Sequence, residues 1–95
     1  MNMSMEQKDI CRITLDFNKT ENIQQTYEEL KKQMTLPEYF GNNLDALHDC
    51  LTECAEPIEL TLIPGEKKEE SWVAAFGRVC MDAAEENSKI SVEIR

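Results

Sequence analysis

The sequence predicts an α/β fold in which helices pack on a three-stranded parallel sheet, with the elements in the order β-α-α-β-α-β. Three short segments alternate apolar and polar residues, a period of two that is typical of strands with one buried face. The segments between them carry apolar residues at the spacing of a helix. Strands that are separated by helices normally form a parallel sheet with right-handed crossovers.

The first strand and the first helix are predicted before Pro37. Residues 11–17 alternate between apolar and polar side chains and predict the strand, and the polar residues 18–22 predict a turn. The helix is indicated by an apolar stripe that consists of Ile23, Tyr27, Leu30 and Met34. Pro37 is expected to end the helix, because the residue before a proline is disfavoured in the helical region.

A second helix and a second strand follow. Residues 41–43 supply a turn and an N-cap for a helix that runs through about Cys54. Pro57 opens the second strand, and residues 64–65 close it. The buried face of this strand is expected to consist of Ile58, Leu60 and Leu62.

The last part of the chain predicts a long helix and a final strand. Residues 66–70 are charged and expected to be exposed, and Ser71 is a candidate N-cap. The buried stripe of the helix is expected to consist of Trp72, Ala75, Phe76, Val79 and Ala83. Residues 87–88 end the helix, and residues 90–95 alternate as the final strand.

Length and charge limit the possible functions. We expect one domain over residues 1–95, with residues 1–9 as a loose leader, because this length suits a single domain. Nineteen acidic and ten basic residues give a formal net charge of -9. Nucleic acid and anionic membrane surfaces are not expected to be partners, because both repel this charge. The charge favours a basic protein partner, although it also serves solubility alone.

The sequence predicts a cytoplasmic protein with reduced thiols. No stretch approaches the roughly 20 apolar residues that span a bilayer, and residues 1–9 lack the apolar core of a signal peptide. The four cysteines, Cys11, Cys50, Cys54 and Cys80, would suit two disulfides in a secreted protein, but the cytoplasm keeps thiols reduced. We expect no metal and no cofactor.

The predicted second helix has two chemically distinct faces. Leu44, Leu47 and Leu51 form an apolar stripe, while Asp45 and Asp49 lie four residues apart on another face. Two like charges at this spacing repel each other, typically by a few tenths of a kcal/mol. A helix that needed only stability would more often carry Lys at one of the two positions. The pair therefore indicates a positively charged partner.

The segment of residues 29–52 resembles the barstar family, small bacterial inhibitors of extracellular ribonucleases such as barnase. The resemblance is carried by Pro-Glu-Tyr at residues 37–39 and by Gly-x-Asn-Leu-Asp-Ala-Leu at residues 41–47. It is weak over residues 57–70 and moderate from Val79 onward. The resemblance implies a three-stranded parallel sheet packed with helices, and an inhibitor that is not itself an enzyme.

The resemblance also implies an inhibitory surface on the second helix, on the loop before it and at the end of the third helix. Asp45 and Asp49 match the two principal aspartates of the family. Flanking contacts of the family match Tyr39, Gly41, Asn43, Leu44 and Thr52. Asp82 and Glu86 align with two family glutamates and share a helix face. The alternative interpretation of these two residues is that they form an ordinary solvated surface. The implied partner is a basic ribonuclease of the barnase type or a related toxin domain.

Three features depart from the family pattern. His48 replaces a tryptophan beside the two aspartates, Glu53 replaces a glycine near the end of the helix, and the segment before Pro57 is shorter. These changes lie on or near the implied surface. His48 is therefore expected at the rim as a candidate partner contact, and the identity of the target enzyme stays open.

Two alternatives from other classes stay open. Cys50 and Cys54 lie four residues apart and, with Cys11 or Cys80, would suit a small redox or zinc-binding protein. The plainer interpretation is that the thiols are buried as small apolar groups. An adaptor whose acidic helix binds a basic protein that is not an enzyme fits the same residues. Catalysis by His48 is not expected, because no nucleophile or metal-ligand set lies near it in the sequence.

Overall fold

A computed structural model of the chain describes residues 10–36 and 40–95. The loose leader expected at residues 1–9 and the predicted contact Tyr39 lie outside the described residues. Strands and α-helices follow in the order β-α-α-β-α-β, as the sequence predicts. They are β1 (Cys11–Asp16), α1 (Ile23–Gln33), α2 (Leu44–Thr52), β2 (Ile58–Ile63), α3 (Ser71–Glu86) and β3 (Ile90–Ile94), with short 3-10 helices at Phe17–Lys19 and Gly65–Lys67.

The strands form a parallel sheet in the order β1-β2-β3, which confirms the predicted fold class. Ile13 of β1 pairs with Leu60 of β2, which pairs with Val92 of β3. Right-handed crossovers between strands taken in this order place the connecting helices on one face of the sheet. The burial pattern agrees, because Ile13 and Leu60 are buried while their neighbours Thr14 and Glu59 are exposed. One face of the sheet is therefore covered and the other is open.

The hydrophobic core lies between the covered face of the sheet and the helices. α1 contributes Tyr27 and Leu30, and α2 contributes Leu47 and Leu51. The buried residues of α3 are Val73, Phe76, Cys80 and Ala83. Burying one large apolar side chain stabilises a fold by about 1.5–3 kcal/mol. The core therefore holds α2 and α3 firmly and fixes the direction of their outer faces.

α1 ends at Gln33, so the prediction that Pro37 ends this helix is wrong. The Gln33 side chain accepts a hydrogen bond from the N–H of Thr14 at 2.9 Å and donates one to the carbonyl of Thr14 at 2.8 Å. Met34 already has an extended backbone. An edge strand otherwise presents unpaired N–H and C=O groups. Gln33 covers part of the β1 edge and thereby ties the end of α1 to the sheet.

Other predicted boundaries are wrong by one or two residues. β1 ends at Asp16, because Phe17 begins a 3-10 helix that the Asp16 side chain caps. α2 ends at Thr52, slightly earlier than predicted. Ser71 is the first residue of α3 and not its N-cap; Glu70 precedes the helix and makes no capping bond with its side chain.

The buried stripe of α3 is rotated from the predicted one. It runs through Val73 and Cys80, while Trp72 and Val79 lie half-buried at its flank. The sequence contains two overlapping apolar stripes on this helix, and the packing against the sheet selects one of them. At the edge strand β3 the predicted apolar face is only partly covered, and Ile94 is 52% exposed.

Candidate protein-binding site

Asn43 sets the start of α2 and the shape of the loop before it. Its Oδ1 accepts a hydrogen bond from the N–H of Ala46 at 2.8 Å, and its Nδ2 donates one to the carbonyl of Gly41 at 3.3 Å. Asn42 has a left-handed backbone with φ 53°, which asparagine tolerates better than most residues. A Cβ at Gly41 would lie 2.9 Å from Asn43 Nδ2 and would press on the cap. The predicted contacts Gly41 and Asn43 are thus neighbours, and both are exposed.

Three carboxylates follow one another along the outer face of α2. Asp45, Asp49 and the C-cap residue Glu53 recur every four residues, and all three are exposed. We call these three residues the acidic stripe. The helix dipole favours Asp45 in the first turn but opposes Asp49 and Glu53 at the other end, where no basic residue is present. The acidic stripe therefore opposes the stability of the free protein, which indicates a role outside folding.

α3 brings a further carboxylate next to α2. Nε2 of His48 lies 3.3 Å from Oε2 of Glu86, and the two form an ion pair when the imidazole is protonated. The carboxylate that pairs with His48 is therefore Glu86 and not either of the aspartates on α2. Asp82 lies one turn before Glu86 on α3 and is exposed, so it continues the acidic face of that helix.

Two of the predicted contacts also serve α2 itself. Leu44 is half-buried against the core. The Thr52 hydroxyl lies 2.9 Å from the carbonyl oxygen of His48 and 3.2 Å from that of Asp49. The Thr52 hydroxyl therefore donates its hydrogen within the helix, and only its oxygen is left to accept a hydrogen bond from a partner. Any partner contact from Leu44 or Thr52 would therefore involve a partly covered side chain.

The ion pairs of the described residues leave the two aspartates of α2 without a cation. The Lys and Arg residues that do form pairs lie on α1 and the sheet strands and at the chain end: Lys31–Glu28, Lys32–Glu29, Arg12–Glu59 and Arg95–Glu93. In residues 10–36 and 40–95, no Lys, Arg or His nitrogen lies within 4.0 Å of a carboxylate oxygen of Asp45, Asp49 or Asp82. These carboxylates are available to an external partner.

Asn87 holds the end of α2 from the end of α3, and it is absent from the predicted set. Its Nδ2 lies 3.0, 3.2 and 3.0 Å from the carbonyl oxygens of Leu51, Thr52 and Cys54, respectively. The last carbonyls of a helix have no partner within the helix, and Asn87 supplies one. The sequence gives little indication of this role, because asparagine is common at helix ends for other reasons. The contact with α2 depends on helix packing, which no local pattern reveals.

Two of the four thiols, those of Cys50 and Cys80, lie in surroundings that suppress their reactivity. Burial raises the pKa of Cys80 from the ordinary thiol value of 9.0 to about 12. Burial, followed by the carboxylates of Glu53 and Asp49, raises the pKa of Cys50. A thiol with a raised pKa is a poor nucleophile and a poor metal ligand. Across the described ranges, no group of three His, Cys, Asp or Glu residues is placed to hold a metal ion. The redox or zinc alternative gains no support from this geometry.

Within residues 10–36 and 40–95, no helix combines the length and the apolar character that crossing a bilayer requires.

The chain matches a known protein family and is similar in sequence to a curated relative. It matches the family described as "Barstar (barnase inhibitor)" over residues 11–95. It is also 42% identical over 52 residues to a protein of Bacillus subtilis (strain 168) named "Putative ribonuclease inhibitor YrdF". The aligned segment covers 55% of this chain and 56% of that relative, so it spans only about half the length of the curated protein.

Proposed function

The chain belongs to the barstar family, and we propose that it inhibits a basic ribonuclease of the barnase type or a related toxin domain. The observation that carries the proposal is the exposed acidic stripe on α2, together with Glu86, which contacts His48 of the same helix. The residues proposed to contact the partner are Tyr39, Gly41, Asn43, Leu44, Asp45, His48, Asp49, Thr52, Asp82 and Glu86.

Inhibition of this kind follows from charge and shape and needs no chemical step. An enzyme that cleaves RNA must hold a phosphate, and cationic side chains suit that task. Asp45 and Asp49 would occupy the phosphate position and accept short, charge-assisted hydrogen bonds, which are bidentate from Arg where geometry allows. The bound inhibitor would then exclude RNA in a stoichiometric complex, with no turnover and no cofactor.

The α2 helix suits such a contact because the backbone that carries its carboxylates is held in place before binding. Asn43 caps the start of the helix, and Leu47 and Leu51 bury its inner face. Binding groups that are already ordered lose less conformational entropy when the complex forms. The proposed contacts on α2 therefore act from an ordered helix.

The charge of the chain would also speed association with a basic target. A net charge of -9 attracts a cationic enzyme over a distance and raises the rate of encounter. The barnase–barstar pair is a known example of this steering, and membership of the same family supports the same expectation for this chain.

Selectivity among such enzymes is expected to depend on His48 and Glu53. The family tryptophan at the position of His48 would offer a broad apolar surface, whereas the imidazole here contacts Glu86. Glu53 adds a third carboxylate where the family has glycine, and it is exposed. A preferred target would therefore present less apolar surface opposite His48 and an additional cation opposite Glu53.

Titration of the full chain against a barnase-type ribonuclease tests the proposal. We expect RNA cleavage to disappear at one-to-one stoichiometry. Asp49→Ala should weaken binding by on the order of 2–5 kcal/mol, as expected when one partner of a buried charge pair is removed. Part of that loss reflects enzyme cations left unpaired. Glu59→Gln is the matched control, because Glu59 lies on the open face of the sheet and pairs with Arg12.

Three outcomes would contradict the proposal in different ways. Equal inhibition by the parent and by D49A would show that the acidic stripe is not the binding surface. Binding of the parent to the ribonuclease without loss of RNA cleavage would favour the adaptor alternative. No binding to any basic ribonuclease of this type would reject the proposed target class.

A further inference from the structure

We propose that Asn87 is a positioning residue that fixes α2, and with it the acidic stripe, relative to α3. The inference rests on the proposed function. It explains how α2 and α3 are held so that their acidic residues form one binding surface. Asn87 itself need not touch the partner.

Every hydrogen-bonding group of Asn87 is engaged. Its backbone N–H donates to the carbonyl of Ala83 at 2.8 Å, and its carbonyl accepts from the N–H of Ile90 at 3.0 Å. The side-chain Oδ1 accepts from the N–H of Lys89 at 3.0 Å. These bonds end α3, shape the turn into β3 and leave Nδ2 to face α2.

The Nδ2 group satisfies the carbonyl end of α2. It has two hydrogens for the carbonyls of Leu51, Thr52 and Cys54, so at least one hydrogen is shared. Lys or Arg often serves this end of a helix, because cations offset the negative pole of the dipole. A cation here would also offset the charge of the adjacent acidic stripe. The neutral amide of Asn87 serves the carbonyls and leaves that negative charge intact.

Glu86, the last residue of α3, and Asn87, its C-cap, contact α2 at two points. Glu86 contacts His48, and Asn87 contacts the carbonyls about one turn further along α2. The core holds the inner face of α2 through Leu47 and Leu51, and these two polar contacts further restrict rotation of the helix. Such a rotation would move Asp45 and Asp49 relative to Asp82. The match of the whole surface to a rigid enzyme therefore depends on Asn87.

Asn87→Ala tests the contact in the free protein, with Ser88→Ala as the matched control, since Ser88 is exposed. In N87A the amides of residues 51–54 should exchange with solvent roughly tenfold faster relative to those of α3, and in S88A they should not change. Tenfold corresponds to about 1.4 kcal/mol, which is of the order of the net contribution of one hydrogen bond. If N87A fails to fold, Asn87→Ser, which keeps one hydroxyl donor, should give a smaller effect of the same kind.

Binding to a barnase-type ribonuclease tests the positioning role, at a temperature at which every variant is folded. N87A should dissociate roughly tenfold faster than the parent, and S88A should match the parent. Asp49→Ala should also cost less affinity in N87A than in the parent, because a displaced aspartate contributes less to the complex. A residue that only stabilised the fold would not produce this coupling.

The possible results separate this inference from the proposed function. Unchanged exchange at the end of α2 in N87A would overturn the inference whether or not a ribonuclease is bound. Faster exchange with unchanged affinity and no coupling to Asp49 would reduce Asn87 to a structural cap and also overturn it. If the parent binds no such ribonuclease, the proposed function fails, and a role of Asn87 in that binding is rejected with it.

Discussion

Asp49→Asn should stabilise the free protein and weaken its binding to a ribonuclease. The substitution keeps the shape of the side chain and removes its charge, so it separates charge from packing. Asp49 is exposed in the last turn of α2, four residues from Asp45 on one side and from Glu53 on the other. Each neighbour repels it, and the negative pole of the helix repels it as well.

The expected gain in stability follows from these three repulsions. Each like-charge pair at this spacing costs about 0.2–0.5 kcal/mol, and a charge of the wrong sign at a helix end costs about 0.3–1 kcal/mol. Screening by water and salt reduces both effects at an exposed site. We therefore expect the free energy of unfolding of D49N to exceed that of the parent by about 1 kcal/mol, which raises the Tm of a domain of this size by about 4–8 °C.

Thermal and urea denaturation at low salt measure this gain, and titration against the ribonuclease measures the loss of binding in the same two proteins. Glu59→Gln is the control, because it removes a carboxylate that already has Arg12 as a partner and should therefore bring no gain. A D49N protein no more stable than the parent would refute the argument that the acidic stripe opposes folding. The inference that its charge serves a partner would then lose its physical basis.

Three further predictions concern salt, His48 and Cys80. Stopped-flow association with the ribonuclease should slow markedly as salt rises, because exposed charges attract over only about 10 Å at 0.1 M; equal rates at low and high salt would exclude steering. His48→Trp should bind a barnase-like enzyme more tightly than the parent, because it restores the broad apolar surface that the family tryptophan would offer; equal inhibition constants for the two proteins would place His48 outside the interface. The free energy of unfolding should fall as the pH rises above 9.0, because the unfolded state then loses the Cys80 proton that the folded state keeps up to a pKa of about 12. This thiol alone lowers the free energy of unfolding by up to about 1.4 kcal/mol per pH unit. Urea denaturation at pH values of about 8 and about 10 measures the fall, which should be smaller in Cys80→Ala than in the parent.

The order of the elements could be predicted because each is encoded locally. The alternation around Ile13 and Leu60 suffices to assign strands with one buried face, and the structure buries both residues. The ends of the elements depend on distant contacts, which local patterns do not contain. α1 ends early because Gln33 binds the backbone of Thr14, nineteen residues away in the sequence.

The candidate site also has features that local sequence predicts and features that depend on distant contacts. Asp45 and Asp49 lie on one helix, so their shared face and mutual repulsion follow from spacing alone. The contact of Glu86 with His48 requires α2 and α3 to pack. The resemblance to a known family placed both residues on one implied surface, but neither it nor the spacing predicted the contact. The role of Asn87 was missed, because its three acceptors are more than thirty residues away and the family pattern does not point to it.

The distribution of ion pairs connects the stability of the molecule with its proposed function. The paired Lys and Arg residues of the described chain lie on α1 and on β1 and follow β3, and α2 contains neither Lys nor Arg. Even the end of α2, where a cation would be most favourable, is served by the neutral amide of Asn87. A cation there would offset both the negative pole of the helix and the adjacent carboxylates. We propose that a partner supplies the missing cations opposite α2, and a phosphate-binding active site is a partner of that kind.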